Sequence, residues 1–517
     1  MINKKILITV LLATAFRVEC TSDQNSVLLQ EFDYVKQGAL NGWFNDKSLQ
    51  TELDQRTNSR AYHGNKVTLL VNGVNSLPLR KQNLENADVI MIKTYEFHDT
   101  QKSTLELLDI LTNRAQAGAK IFIQFDVKGT ATATDIYDIL YGKMSPILPN
   151  LAKLQKVNPN NVFIIPTSVP QKYVEYLEAK LDIFCPIDHE KYFITWNSKK
   201  PQEPVKLIMG GMNIGDHYLL GETKDANGNF IRLPAYNNGF SYRDTDVEVI
   251  GPVTADIVKT YIDRIGYYAL NQNPYFKKNI LPTLKNALAQ LPLIQQEMFL
   301  NKKYAFPENA GHAFVRFVNN APNQAVTKEH NILRTWSLLM RSIPSGKTVK
   351  ATSWVFYPPG AIQSDMRLAA NRGVQINILA NCPGADDPDV STGIVKAMRP
   401  LYPNLLKKTP NMKIYEWHGN DELTGVNYIH QKVSSFGDDS CDPFIVGSAN
   451  MDSASLIHNG EGILLIQDKG VKKQFDSMFA NDFNQHIVTP FTSQDAQKIT
   501  WKWKIYAYIF SYLRNLL

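Results

Sequence analysis

The sequence predicts an α/β protein of two similar halves packed around one shared active site. Three observations lead there. A His-x-Lys triplet occurs once in each half of the 517-residue chain, as His189-Glu190-Lys191 and His430-Gln431-Lys432. A glycine-led turn ending in asparagine follows each, Gly210-Gly211-Met212-Asn213 and Gly447-Ser448-Ala449-Asn450. Strand-like and helix-like segments alternate around both triplets in the same order, the signature of helices layered on a sheet.

The chain opens with Lys4-Lys5 and an apolar run over residues 6–16, too short to span a bilayer comfortably. Residues 1–20 therefore read as a signal peptide or N-terminal anchor, and the protein as exported or secreted and membrane-associated. Residues 21–64 form an N-terminal extension. The first half, 65–270, begins with strand patterns at 67–71 and 89–95, a helix at 105–114, a turn at Gly118 and a buried strand at 119–125. The second half, 311–490, repeats that unit: strand 348–356, helix 362–371, a turn at Gly373, strand 374–379. Short strands follow each triplet, at 192–196, 205–209 and 245–250, and at 433–436, 444–446 and 462–466. Helices at 253–268 and 471–483 close the halves. Between them, 271–310 is a connector of two helical pieces, punctuated by Pro274, Pro282, Pro292 and Pro307. Residues 491–517 are an aromatic, basic tail. It reads either as a helix lying in the membrane interface or as one docked on the protein.

Hydrophobic residues make up 44% and charged residues 20%, ordinary globular values that exclude a disordered chain. A net charge of +6 spread over this length accommodates an anionic partner without requiring one. Four cysteines, Cys20, Cys185, Cys382 and Cys441, exclude a disulfide scaffold, show no zinc spacing and read as buried small hydrophobes. No metal and no cofactor is expected.

The repeated residues suit phosphodiester chemistry. Such an anion repels nucleophiles and its alkoxide leaves poorly, so cations must hold the phosphoryl oxygens and an acid must protonate the leaving oxygen. One histidine can attack phosphorus and a second can give and recover the proton. On a strand, residues i and i+2 share a face, so His189 projects with Lys191 and His430 with Lys432. Asn213, Asn450 and Ser448 can reach the same phosphate.

These residues resemble the phospholipase D superfamily, in particular its bacterial cardiolipin synthase-like branch, over roughly residues 65 to 490. That family carries His-x-Lys-x4-Asp, then Gly-[Gly/Ser]-x-Asn, then an acidic residue that orients the histidine. Here Asn459-Gly460-Glu461 and Tyr242-Arg243-Asp244-Thr245 are similar to the downstream motifs. The resemblance implies a phospholipase D-like sandwich, with Glu461 orienting His430 and Asp244 orienting His189. It implies a phospholipase D or phosphatidyltransferase working through a covalent phosphohistidine, with water or an alcohol as acceptor. The expected partners are a phospholipid membrane and phospholipid substrate, with the protein a monomer. Two departures stand out: Trp196 and Gly437 occupy the registers of the motif aspartates, and Ala454 stands where the family often has Arg.

A nuclease with the same site needs an extended basic groove, and Lys199-Lys200 and Lys472-Lys473 are only isolated pairs. Nucleic acid is therefore not the expected partner. The missing aspartates motivate a third reading, a catalytically weakened lipid-binding protein. His63, His98, His312 and His458 read as structural or exposed, as does His217 despite its closeness to the first motif. Trp354, Phe356 and Tyr357 end a strand at the expected mouth of the site, where acyl or glyceryl parts of a substrate could bind, but core packing is the favoured reading.

Overall fold

The computed structural model describes residues 42–130, 145, 147–168, 187–222, 241–270, 274–322, 330–383, 395–419 and 428–513. The N-terminal leader reading and Cys20 and Cys185 lie outside the described residues.

Fifteen strands are hydrogen-bonded into one continuous order. The first half supplies β1 (Ala61–Val71), β2 (Val89–Thr94), β3 (Lys120–Asp126), β4 (Val162–Thr167), β5 (Tyr192–Trp196), β6 (Lys206–Gly210) and β7 (Thr245–Ile250). The second supplies β8 (Ala313–Asn320), β9 (Thr348–Ser353), β10 (Gln375–Asn381), β11 (Met412–Trp417), β12 (Lys432–Phe436), β13 (Phe444–Gly447), β14 (Glu461–Gln467) and β15 (Val488–Pro490). The order runs β15-β11-β10-β9-β12-β13-β14-β8-β1-β7-β6-β5-β2-β3-β4. Read outward from the centre, each half is the same sequence of pairings, with β15 added at one edge. The strands β2, β3 and β4 run parallel, as do β9, β10 and β11. All other neighbours are antiparallel.

The halves meet twice. At the centre, β1 pairs antiparallel with β8 at Ala61 and Tyr62 and, past an irregularity, at Asn65, and with β7 over 66–71. Gly64, at φ +83°, sits in that irregularity, where any Cβ would collide with the Glu308 carbonyl at 1.7 Å. The sheets also face one another: Val433, Phe444, Val446, Leu464 and Ile466 share one apolar cluster with Leu207, Met209, Val247 and Val249. The halves cover one another's inner faces and helices such as Lys102–Gln116 cover the outer ones, so the strand sequences there are apolar on consecutive residues rather than alternating.

Local sequence accounts for the repeated unit. Val89–Thr94 and Lys120–Asp126 are β-branched and aromatic and almost wholly buried. The helix Lys102–Gln116 buries Leu107, Leu108, Leu111 and Ala115 at helical spacing. Just past its end Gly118 adopts φ +87°, and Gly373 adopts φ +96° after the matching helix Gly360–Asn371. The connector holds two helical pieces, a long helix, Pro274–Leu300, that runs through Pro282 and Pro292, and a short one, Lys302–Ala305. Each proline removes a single ladder bond, and burial of Leu284, Ala287, Leu291, Ile294 and Met298 along one face outweighs that loss. Trp43, Phe44, Leu49 and Leu53, from the segment before β1, join the core of the second half. Among the described cysteines Cys382 is buried but Cys441 is exposed, correcting the reading of both as core.

Candidate active site

Both triplets lie at the same end of the sandwich, where β5 and β12 begin; Lys432 is the first residue of β12 and the other triplet residues lie just outside the strands. Lys191 immediately precedes β5, and His430 precedes β12 by two residues. Because β5 runs antiparallel to β2, Tyr192 sits opposite Lys93; Lys432 likewise sits opposite Ser353 at the end of β9. The site is thus at the carboxyl ends of the parallel strands, where open α/β sheets leave a crevice.

Each histidine is held by a carboxylate from the other half. His189 Nδ1 lies 3.0 Å from Glu461 Oε1 and 3.1 Å from Oε2. His430 Nδ1 lies 2.6 Å from Asp244 Oδ2. This reverses the expected pairing of Glu461 with His430 and Asp244 with His189. The cause is backbone docking between halves. Asp188 bridges Gly460 in parallel, and the His189 amide donates to the Gly460 carbonyl at 2.8 Å. Tyr428–Ile429 pairs in parallel with Tyr242–Arg243, and the His430 amide donates to the Arg243 carbonyl at 2.8 Å. In each case the next residue after the docked one is the acid.

The Tyr242-Arg243-Asp244-Thr245 motif divides its work accordingly. The Tyr242 ring lies 5.1 Å from that of His430, and Arg243 Nε donates to Asp482 at 2.9 Å. Thr245 Oγ1 accepts from Gln431 Nε2 at 2.9 Å. Gly211 makes room for this arrangement, since a Cβ there would fall 2.1 Å from Asp244 Oδ1.

Lys191 Nζ donates to the His189 carbonyl at 2.7 Å, and Lys432 Nζ lies 2.9 Å from His430 Nδ1. Asn213 accepts from the Thr94 hydroxyl and from the amides of Tyr95 and Glu96, each at 3.2 Å, so only its amide nitrogen remains for a phosphoryl oxygen. Asn450 is buried. Ser448 was expected on the phosphate; instead its hydroxyl donates to Glu461 and accepts from the Gly462 amide at 3.1 Å. Its place one residue after Gly447, opposite the start of β14, turns it toward the acid.

Burial dominates the electrostatics. It pushes the Glu461 carboxyl up to about 8 against the pull of Lys191 and Ser448, and Asp244 up to about 8 against Lys432. It brings Lys191 down to about 8 despite Glu461, and Lys432 down to about 7 despite Asp244. Both imidazoles fall well below their ordinary range, through burial first and then the two lysines, each of which acts on both rings. Burial therefore disfavours positive charge on these groups, and a phosphodiester anion beside them would favour it.

Several residues at the site carried at most a secondary functional reading in the sequence. The Tyr95 ring packs edge-on to His189 at 4.8 Å, under Lys191 Nζ at 5.6 Å. Trp354, read as core, lies 5.7 Å from the His430 ring and under Lys432 Nζ at 5.7 Å. Each is the residue just past the end of β2 or β9, so superposing the repeats would have matched them. Phe356 is buried as expected. Tyr218 packs at 5.0 Å from His430 and donates to Glu96 at 3.0 Å, and His217 and His98 surround the same carboxylate. No periodic signal marked these three.

Trp196 and Gly437 lie at the opposite ends of β5 and β12. Five residues separate Lys191 from Trp196, roughly 16 Å of strand. Asp442 fills the space beside Gly437, where a Cβ would meet its Oδ2 at 2.1 Å, and it accepts from Trp43 Nε1 at 3.0 Å and Lys347 Nζ at 2.8 Å. In the first half Asp88 accepts from the Ser198 amide at 2.6 Å and its hydroxyl at 2.8 Å. Buried polar anchors thus stand at both departures, remote from the histidines.

A family model described as cardiolipin synthase, PLD-like domain, matches residues 340–483. Cardiolipin synthase A of Pseudomonas putida is 24% identical over 445 residues, covering 84% of this chain and 72% of that protein. Cardiolipin synthase 1 of Staphylococcus epidermidis is 23% identical over 297 residues, 57% of this chain and 48% of that one. The phosphatidylserine synthase of Haemophilus influenzae superposes with a TM-score of 0.55 at 11% identity, over 91% of this chain and 100% of that one. That likeness establishes a shared fold.

Proposed function

We propose that the chain is a phosphatidyltransferase of the phospholipase D superfamily, on its cardiolipin synthase-like branch, acting on phospholipids through a covalent phosphohistidine. The observation that carries this reading is the pair of buried imidazoles, each held at Nδ1 by a carboxylate of the opposite half. That arrangement leaves both Nε2 atoms for chemistry and fixes their tautomers.

In this reading His189 Nε2 attacks phosphorus, the P–N bond forms, and the P–O bond to the leaving alcohol breaks. His430, protonated at Nε2, gives its proton to that oxygen. The acceptor hydroxyl then returns a proton to His430 and attacks the phosphohistidine, releasing the histidine and the new phosphodiester. Lys191, Lys432 and the amides of Asn213 and Asn450 hold the phosphoryl oxygens. The carboxylates stabilise each imidazolium as it forms. The near-symmetry of the halves permits the roles to be exchanged, and the two titrations belong to the pair.

No helix among the described residues is long and apolar enough to cross a membrane. The terminal helix Trp501–Leu513 instead exposes Trp501, Ile505 and Tyr508, spaced to share one face, with Lys502 and Lys504 beside them. This composition favours docking on an anionic lipid surface.

The test is product analysis by mass spectrometry. Purified protein meets mixed phospholipid vesicles with and without glycerol, beside His189→Ala and His430→Ala. Phosphatidic acid or a transferred phosphatidyl product, lost in both variants, supports the reading and separates hydrolysis from transfer. Cleavage of DNA or RNA without lipid turnover would make it a nuclease, and neither activity would leave a binding protein.

A further inference from the structure

We infer that Glu96, His98 and His217 form a binding site for one divalent transition-metal ion of the zinc type, set in the wall of the active site. The ligands converge from two segments. Glu96 and His98 lie in the loop after β2, and His217 lies in the helical turn Asp216–Leu219. His98 Nε2 is 3.2 Å and His217 Nε2 is 3.6 Å from the same oxygen, Glu96 Oε2. One donor atom from each residue falls within a span of 4.8 Å.

A tetrahedral zinc site with ligands about 2.0–2.1 Å from the ion has neighbouring ligand atoms roughly 3.3 Å apart. Both measured edges are close to that spacing, so small side-chain movements suffice to seat an ion. Two imidazoles and one carboxylate are a zinc ligand set, and they leave a fourth position open. The side chains remain 31%, 22% and 13% exposed for His98, Glu96 and His217, which leaves the ion a path from solvent.

The backbone makes room for this convergence. A Cβ on Gly215 would lie 2.7 Å from His98 Cδ2 and 3.3 Å from His217 Cε1. The imidazoles approach, their rings 5.0 Å apart, because that residue has no side chain. The other cluster of similar composition, Cys382 with Glu416 and His418, differs in one respect. Both Glu416 oxygens are already taken by Arg399, at 2.7 and 2.8 Å. An ion at Glu96 would stand behind Tyr218, whose ring packs against His430, so metal binding and catalysis would share a wall.

Cobalt titration of the full-length protein, followed by visible absorption and metal stoichiometry, tests this independently of any lipid activity. The expected result is one Co2+ per chain with the strong visible bands of a low-coordinate ion, displaced by Zn2+. His98→Asn and Glu96→Gln should each weaken binding by about 100-fold or more. A His189→Asn, His430→Asn double variant should keep the signal. Should Glu96→Gln fail to fold for want of its bond to Tyr218, the partly exposed His98 carries the test alone. Absence of binding under several-fold excess cobalt, binding unchanged by His98→Asn, or loss of binding in the double catalytic variant would each overturn the proposal.

Discussion

Replacing Glu461 by Gln tests the cross-half pairing most directly. The substitution keeps the shape and one hydrogen bond but removes the charge that stabilises His189 as imidazolium. At the 3.0 Å separation of His189 Nδ1 and Glu461 Oε1, two unit charges interact by about 5.5 kcal/mol at an effective dielectric of about 20. Both groups are buried, so solvent screens little of this. Converted to a rate, the loss is about four orders of magnitude, the scale on which removing the acid of a catalytic triad acts. The assay is pre-steady-state formation of released headgroup alcohol on defined vesicles. A second arm uses protein labelled at histidine Cε1. The resonance missing from His189→Asn identifies His189, and it should be the catalytic-site resonance whose titration moves in Glu461→Gln. Asp244→Asn should instead move the one missing from His430→Asn. A rate loss below tenfold, or a response of His430 to Glu461→Gln, would refute the pairing.

Affinity for a soluble phosphodiester of constant charge should fall as pH rises, because the ammonium forms that hold it are lost through about 7 at Lys432 and about 8 at Lys191. The dissociation constant should weaken by up to about tenfold per pH unit between about 7 and 8 and by up to about a hundredfold per unit above about 8, and Lys432→Gln should erase the lower step; calorimetry checks both, and a flat profile would refute the assignment. Gly211→Ala should cost about 1–3 kcal/mol in denaturant unfolding and displace Asp244 from His430, reducing turnover together with stability. Arg264→Leu should destabilise the fold by about 3–5 kcal/mol at unchanged m-value, since Arg264 Nε, 3.2 Å from Glu190 Oε2, neutralises a fully buried carboxylate. Trp501→Ser with Tyr508→Ser should reduce co-sedimentation with anionic vesicles while leaving turnover of a soluble phosphodiester unchanged.

Much of this protein was legible because its information is local. Apolar runs of β-branched and aromatic residues located 192–196 and 245–250 at the bounds the strands adopt. Gly118 and Gly373 marked the ends of matching helices because each sits at positive φ. The doubled triplets and turns exposed the duplication, and with it the class of fold. At the connector a long buried face outweighs the missing donors of Pro282 and Pro292.

The sequence by itself determined which side chains are candidates for the chemistry: two imidazoles, two ammonium groups, two carboxamides and two acids, each at a fixed offset within its own half. Tertiary structure alone decided which acid serves which histidine. It sent Ser448 to Glu461 rather than to phosphate, and it brought Tyr218, Trp354 and the Glu96 cluster to the same wall. Motif spacing reports neighbours along one strand or turn. The docking of residues 187–189 on Gly460, and of His430 on Arg243, joins segments more than 180 residues apart through backbone bonds that any side chain could make. No pattern in the residues distinguishes those pairings from their mirror arrangement; the packing of one half on the other does.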